Sequence, residues 1–288
     1  MSDQREIKNS VFTPNTPGGV DPRITSMSQA EAVKTEFGLD IPTELVPLPS
    51  NGKVYPPTST LHGRETVEIR PMTAREEDIL TSRALLKKGT VVTELIKSCL
   101  VDKSINTLDL LAGDRNALMV AVRITGYGAE YTAETTCGEC DAKSQQMFNL
   151  AELPIKRLEI DPVAEGQNLF EFVLPHTKKK VKFKFTTGRD EEELSVTQEK
   201  QKKLGLKTDT TVTTALQQSI VSVDNVEDRA KINNFIKMMP ARDSLALRNY
   251  IRQNEPGLTM KQEMTCPECG HSEEVNMPLG VSFLWPTS

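Results

Sequence analysis

The chain has 288 residues, of which 37% are hydrophobic and 26% are charged, and its formal net charge is −5. This composition is that of a globular protein with a buried core, and no apolar run approaches the roughly 20 residues that span a bilayer. The start, MSDQREIKNSVF, lacks the apolar stretch of a secretory signal, so we expect a cytoplasmic protein. The acidic balance argues against broad contact with nucleic acid, whose phosphates require clustered Lys and Arg.

Residues 1–57 are predicted to form a flexible, proline-rich arm, in which SMSQAEAVKTEF could form one short helix. Eight of the 17 prolines lie in this segment, and no long apolar periodicity does. Such a segment offers little surface to a core and stays flexible unless a partner orders it. The folded part is therefore predicted to begin near VEIRPMT.

Residues 58–154 are predicted to form the first helical half. Thr73 and Glu76 have capping-box spacing, which predicts a helix from Ala74 to just before Gly89.

Two further helices are predicted in this half. Leu95, Ile96 and Cys99 share one face of a helix predicted over Val91–Leu100, so we interpret Cys99 as a buried apolar residue and not as a ligand. The last helix of the half is predicted to be capped by Asp114.

Residues 155–288 are predicted to contain a central β-hairpin and a second helical half. LFEFVL and VKFKF alternate apolar and polar residues on either side of HTKKK, which predicts a hairpin with one solvated face. We interpret its basic turn as solvated, with contact to nucleic acid as the alternative. Helices are predicted to resume from Gly188 to Asn254, interrupted by KKLGLKTDTT.

The chain matches itself at an offset of 129 residues, where residues 111–150 align with residues 240–279 without a gap. Upstream, TVVTELIKSCLVD resembles TVTTALQQSIVSVD, and PMTAREEDIL resembles KFTTGRDEEEL. Chance similarity between amphipathic helices does not explain an aspartate 23 residues before a cysteine pair twice, as Asp114 and Asp243 are. We therefore predict an α+β fold of two pseudo-repeated halves, each with helices, an aspartate-capped helix and a Cys-x-x-Cys hairpin.

Four of the five cysteines form the pairs TCGEC and TCPECG, each flanked by predicted strands. In a reducing compartment this spacing favours metal over disulfides, and Zn²⁺ takes four tetrahedral ligands. Two related halves could meet about a pseudo-twofold axis and contribute one knuckle each. We therefore predict a zinc-ribbon-like site with one structural Zn²⁺ bound by Cys137, Cys140, Cys266 and Cys269.

The cysteine spacing leaves alternatives open: two disulfides, a redox site, metal-free knuckles, separate metals with outside ligands, or iron–sulfur ligation. His271 follows Cys269, but Ala142 occupies the aligned position in the first knuckle.

Catalysis is not expected, because four thiolates close a zinc shell. The chain also has no phosphate-binding glycine loop, no His-Glu-x-x-His motif and no nucleophile elbow, so we assign no catalytic and no further cofactor-binding residues. The acidic run from Asp190 to Glu193 is interpreted as a helix N-terminus that complements the helix dipole.

Five segments carry a family resemblance: LPSNGKVYP, IRPMTAREEDIL, LIKSCLVD, ITGYGAEY before the first cysteine pair, and the C-terminal LGVSFLWP. Over roughly residues 45–288, the chain resembles the baseplate hub assembly family of T-even-type tailed phages. The resemblance implies a non-enzymatic protein that acts in baseplate hub assembly in the host cytoplasm, with phage baseplate hub or tail proteins as partners. Because family members need not carry the cysteines, the zinc prediction depends on this sequence alone.

A second functional class is a zinc-ribbon nucleic-acid-binding protein, such as a transcription accessory factor. The two knuckles alone would support it. The acidic balance, and the lack of basic residues interleaved with aromatics at the knuckles, count against it.

Overall fold

The computed structural model describes residues 33–34, 40–203, 211–277 and 281–284. They form helices and small antiparallel sheets, in agreement with the predicted α+β class. Most of the helix predicted over SMSQAEAVKTEF lies outside the described residues. Val33 and Lys34, which are described, form strand β1 (Val33–Lys34) and pair with β2 (Asp40–Ile41), so the prediction is wrong at these two positions.

The segment after Glu44 belongs to the folded body. Strand β3 (Glu44–Pro47) pairs with β4 (Thr66–Ile69) in an antiparallel ladder of four residue pairs. Four apolar side chains of the segment are buried in the core: Val46, Leu48, Val54 and Tyr55. The predicted arm boundary at residue 57 is therefore wrong. The prolines misled the prediction, because Pro47 stands at the end of a strand, where a missing N–H is tolerated.

The region predicted as one helix after Thr73 forms two. Helix α1 (Ala74–Thr81) has the predicted capping box, with Thr73 N and Oγ1 donating to Glu76 Oε2 at 2.9 and 2.6 Å. The backbone is extended at Ser82, and α2 (Arg83–Lys88) follows. Thr81 Oγ1 donates to backbone carbonyls one turn earlier, and such bonds compete with the helix ladder.

Helix α3 (Val91–Cys99) buries Leu95, Ile96 and Cys99 as predicted. Helix α4 (Ala112–Tyr127) begins two residues before Asp114, so the prediction that Asp114 caps it is wrong. The buried Asp114 carboxylate instead accepts hydrogen bonds from Ser50 N, Ser50 Oγ and Tyr55 Oη. It fastens the loop after β3 onto the first turn of α4.

Two strands form the first knuckle hairpin, β5 (Glu130–Thr136) and β6 (Lys143–Asn149), which pair over seven residues. A short 3-10 turn (Leu150–Glu152) and strand β7 (Ile155–Lys156) follow.

The predicted central hairpin is confirmed as β8 (Phe170–Val173) and β9 (Lys180–Phe183). Helices resume at the predicted Gly188 with α5 (Gly188–Lys203) and α6 (Thr211–Ser219). Strand β10 (Ile220–Val223) adds a third strand beside β9, which the sequence did not predict. The segment resembles the end of α3, where the corresponding backbone makes only an isolated bridge between Leu100 and Ile69.

Helices α7 (Arg229–Met238) and α8 (Ala241–Asn254) complete the second helical region, which ends at the predicted Asn254. Helix α8 also begins two residues before its aspartate, so the predicted cap by Asp243 is wrong. The Asp243 carboxylate accepts from His176 N at 2.7 Å, and from Thr177 N and Oγ1 at 3.0 and 2.7 Å. Like Asp114, it fastens a turn that follows a strand.

The last elements bring the two parts of the chain together. They are β11 (Gly257–Leu258), β12 (Lys261–Thr265), β13 (Ser272–Asn276) and α9 (Val281–Leu284). Strand β11 pairs with β7, and the Phe283 carbonyl in α9 accepts from Arg123 Nε at 2.8 Å. Gly113 approaches residue 256 so closely that a Cβ atom there would lie 1.9 Å from a backbone oxygen.

Corresponding positions of the two parts make corresponding contacts. In α1, Arg70 pairs with Glu76 at 2.6 Å, and in α5, Lys184 pairs with Asp190 at 2.5 Å. Thr187 N and Oγ1 donate to Asp190 just as Thr73 donates to Glu76. The large hydrophobic cluster contains buried side chains from both parts, from Val46 to Leu284. Within the described ranges, no helix is long and apolar enough to cross a membrane.

Candidate metal centre

The two knuckle hairpins expose one face and bury part of the other. Along β5, Tyr131, Ala133 and Thr135 are buried while the intervening residues are exposed. The second hairpin, β12–β13, pairs over five residues and buries Met264. This alternation fixes which face of each strand points inward, and the cysteine turns follow directly at the strand ends.

The two cysteine turns have the same backbone geometry. Cys137 N donates to Ala142 O at 2.9 Å, and Cys266 N donates to His271 O at 2.8 Å. The fifth residue of each turn has a left-handed backbone, with φ of 56° at Asp141 and 72° at Gly270. Glycine adopts this conformation without strain, and aspartate is among the few other residues that tolerate it.

The turns bring the four cysteine sulfurs together, all within 4.8 Å of one another. Across the hairpins, the Sγ atoms of Cys137 and Cys269 lie 3.7 Å apart, as do those of Cys140 and Cys266. A tetrahedral ion with metal–sulfur bonds of about 2.3 Å separates its ligands by about 3.8 Å. The four side chains could therefore hold one metal ion between them.

Other contacts join the hairpins beside the sulfurs. Gly138 N donates to Glu273 Oε1 at 2.6 Å, and Thr135 Oγ1 lies 3.1 Å from Met264 Sδ. Thr135 and Met264 are themselves equivalent at the offset of 129 residues, as expected for residues that meet near a twofold axis. The role of Glu273 could not be found from sequence, because no spacing distinguishes it from its exposed neighbour Glu274.

The environment of the thiols differs inside and outside the site. Backbone N–H groups of Cys269 and Glu268 lower the pKa of Cys266 to about 7, which favours the thiolate that binds metals. At Cys99, burial in the core raises the pKa to about 12, so this thiol stays protonated. The interpretation of Cys99 as a packing residue is confirmed, since it lies in the large hydrophobic cluster.

The alternatives to a shared ion fit this geometry less well. All five cysteines are free, and the closest contacts join the two hairpins and not the members of one pair. Among the described residues, the group that could hold a metal consists of the four cysteines without His271. An iron–sulfur cluster would place iron and sulfide atoms between the cysteines and require a wider cage.

Comparison with known proteins identifies the class to which this body belongs. The family described as T4 bacteriophage base plate protein matches residues 42–285. The chain therefore belongs to the T4 bacteriophage base plate protein family, and the predicted resemblance to a T4-type baseplate protein is confirmed. No curated protein and no solved structure matched the chain.

Proposed function

We propose that this protein acts in assembly of the baseplate hub of a phage tail, as an assembly factor or a structural component. It does so through contacts with hub or tail proteins and without catalysing a reaction. The observation that carries this proposal is the family match over residues 42–285. Assembly in the host cytoplasm, with the tail baseplate as destination, follows from the same membership.

The metal centre supports a structural role. Four cysteine ligands leave a zinc ion no open position for water or substrate, whereas catalytic zinc keeps one. We propose that one Zn²⁺ bound by Cys137, Cys140, Cys266 and Cys269 joins two duplicated halves. The matched turn geometry and the two equal sulfur–sulfur distances support this arrangement.

One equivalent of tightly bound zinc is expected per chain. Elemental analysis of protein purified without chelator measures it directly. Zero equivalents would refute the site, and two would show that the knuckles do not share an ion. Chain expressed with Cys99→Ala is the matched control and should retain its zinc, because Cys99 lies apart from the site.

Deleting residues 1–39 is expected to leave the body folded, because the described body pairs its strands from Asp40 onward and packs its core from Val46. Thermal melting should be nearly unchanged, while the yield of assembled tails should fall if the arm reaches a partner. Deletion through residue 57 is the comparison and should unfold the protein, since it removes β3 and Tyr55. Full phage yield from the shorter deletion would leave the arm without a role in assembly.

The assembly role itself is tested in phage lacking this protein. Tails and baseplates isolated from infected cells are examined by negative-stain electron microscopy, with the wild-type chain supplied in trans as control. Incomplete baseplates that are restored by the wild-type chain are expected. Complete baseplates without the chain would contradict the proposal.

A further inference from the structure

Helix α8 exposes a side that is covered on its counterpart α4. Ten residues of α4 are buried, but only Asp243 and Leu247 are buried on α8. On α4, the buried Arg115 donates to Glu191 of α5 at 2.8 Å. On α8, Leu245 is 52% exposed, and Met238 at the end of α7 is 77% exposed. Two apolar side chains thus stand in solvent at the start of α8.

Cations surround these apolar side chains. Residues 170–184 and 220–254, here called the basic end, carry 11 Lys and Arg against five Asp and Glu, a net charge of +6. Asp243 fastens the turn that carries Lys178 onto the first turn of α8, beside the exposed Arg242. The basic end is therefore one surface and not a set of scattered charges.

The knuckle hairpins have the opposite charge. Residues 130–149 and 257–277, here called the acidic end, carry eight Asp and Glu against two Lys, a net charge of −6. A zinc ion with four thiolates would add a further −2. The acidic end also exposes an apolar side chain, Met147, which is 71% exposed.

The two ends cannot neutralise each other within one molecule. The basic turn contacts the N-terminal turn of α8, whereas the knuckle hairpin β12–β13 follows its C-terminus. The 14 residues of α8 span about 21 Å at 1.5 Å per residue. That distance exceeds the screening length of about 8 Å at physiological ionic strength, so the complementary surface must come from another molecule.

We propose that the basic end docks onto the acidic end of a second copy of this chain, head to tail. Leu245 and Met238 supply the apolar centre, Met147 faces them, and the opposite charges form the rim, as in ordinary protein interfaces. The contact is heterologous, so each added copy keeps one free end of each sign and the assembly grows into a ring or an open chain. This inference does not depend on the role in hub assembly.

Sedimentation velocity of the full-length protein tests the proposal. At low salt the weight-average mass should rise at least twofold with protein concentration, and at about 1 M salt it should return to the monomer value. The variants Lys178→Glu/Arg242→Glu and Glu134→Lys/Glu263→Lys should each remain monomeric at low salt. Mixing these two variants should restore a 1:1 dimer, because each keeps the end that the other has lost.

A control variant, Lys87→Glu/Lys88→Glu, makes the same charge change on α2, away from both ends, and should associate like the wild type. A wild type that stays monomeric at its highest soluble concentration would overturn the proposal, as would equal loss of association in the control. So would association that persists in both end variants. If the monomer instead binds a labelled DNA duplex and Lys178→Glu/Arg242→Glu abolishes that binding, the basic end serves nucleic acid and the proposal fails.

Discussion

Replacing Cys266 with serine should remove the bound zinc and lower the melting temperature of the whole body. The ion would link two knuckles separated by 125 residues of chain, and a cross-link that closes a loop of that length stabilises by about 4–5 kcal/mol. Structural zinc contributes on the order of 10 kcal/mol in zinc-finger peptides, but this body has a large hydrophobic core of its own. A partial loss of stability with retained helix is therefore expected.

The measurement is thermal melting by circular dichroism together with zinc content. A loss of about 4 kcal/mol corresponds to a fall of roughly 8–16 °C in a chain of this size. The Cys99→Ala variant controls for loss of a cysteine, since it should lower stability by a packing effect while zinc stays bound. A Cys266→Ser protein that loses zinc and melts like the wild type would show that the ion does not join the halves.

Replacing Asp114 with alanine should destabilise the protein by about 3–6 kcal/mol. The carboxylate is fully buried and accepts from Ser50 N, Ser50 Oγ and Tyr55 Oη, so its removal leaves several buried donors without a partner. Each such group costs about 1–3 kcal/mol. Burial raises the pKa of Asp114, whereas the hydrogen bonds lower it, so the charged form is retained by these donors alone.

Denaturant unfolding measures this loss, and two variants calibrate it. Tyr55→Phe removes one donor and keeps the ring, so it should cost about 1 kcal/mol. Asp243→Ala removes the equivalent carboxylate, but its partners His176 and Thr177 remain partly exposed to water and should lose less. Equal effects at Asp114 and Asp243 would contradict the view that burial makes the difference.

The cysteine site was the part of the fold most accessible from sequence. Two identical spacings, an aspartate at a fixed distance and one offset were enough to predict hairpins that bring four sulfurs together. Turn chemistry is local, so Cys137 and Cys266 reveal their geometry through their immediate neighbours. The metal and its identity remain proposals that only chemistry on the purified protein can test.

Tertiary contacts account for what the sequence did not reveal. The aspartates look like helix caps by type and position, but Asp114 and Asp243 bind loops that are distant in sequence. Strand β10 forms because β9 offers it an edge, although its sequence resembles the end of α3. The loop after β3 is proline-rich and looks like a linker, yet Tyr55 reaches Asp114 and orders it. Local patterns do not contain these partners.

X-ray absorption at the zinc edge of the purified full-length chain tests the shared metal centre most directly. The expected spectrum has four sulfur neighbours at about 2.3 Å and no nitrogen or oxygen ligand, with one zinc per chain. Replacing any one of the four cysteines should reduce the sulfur count or release the ion. Nitrogen or oxygen neighbours in the wild type, or a spectrum without zinc, would contradict a single ion held by Cys137, Cys140, Cys266 and Cys269.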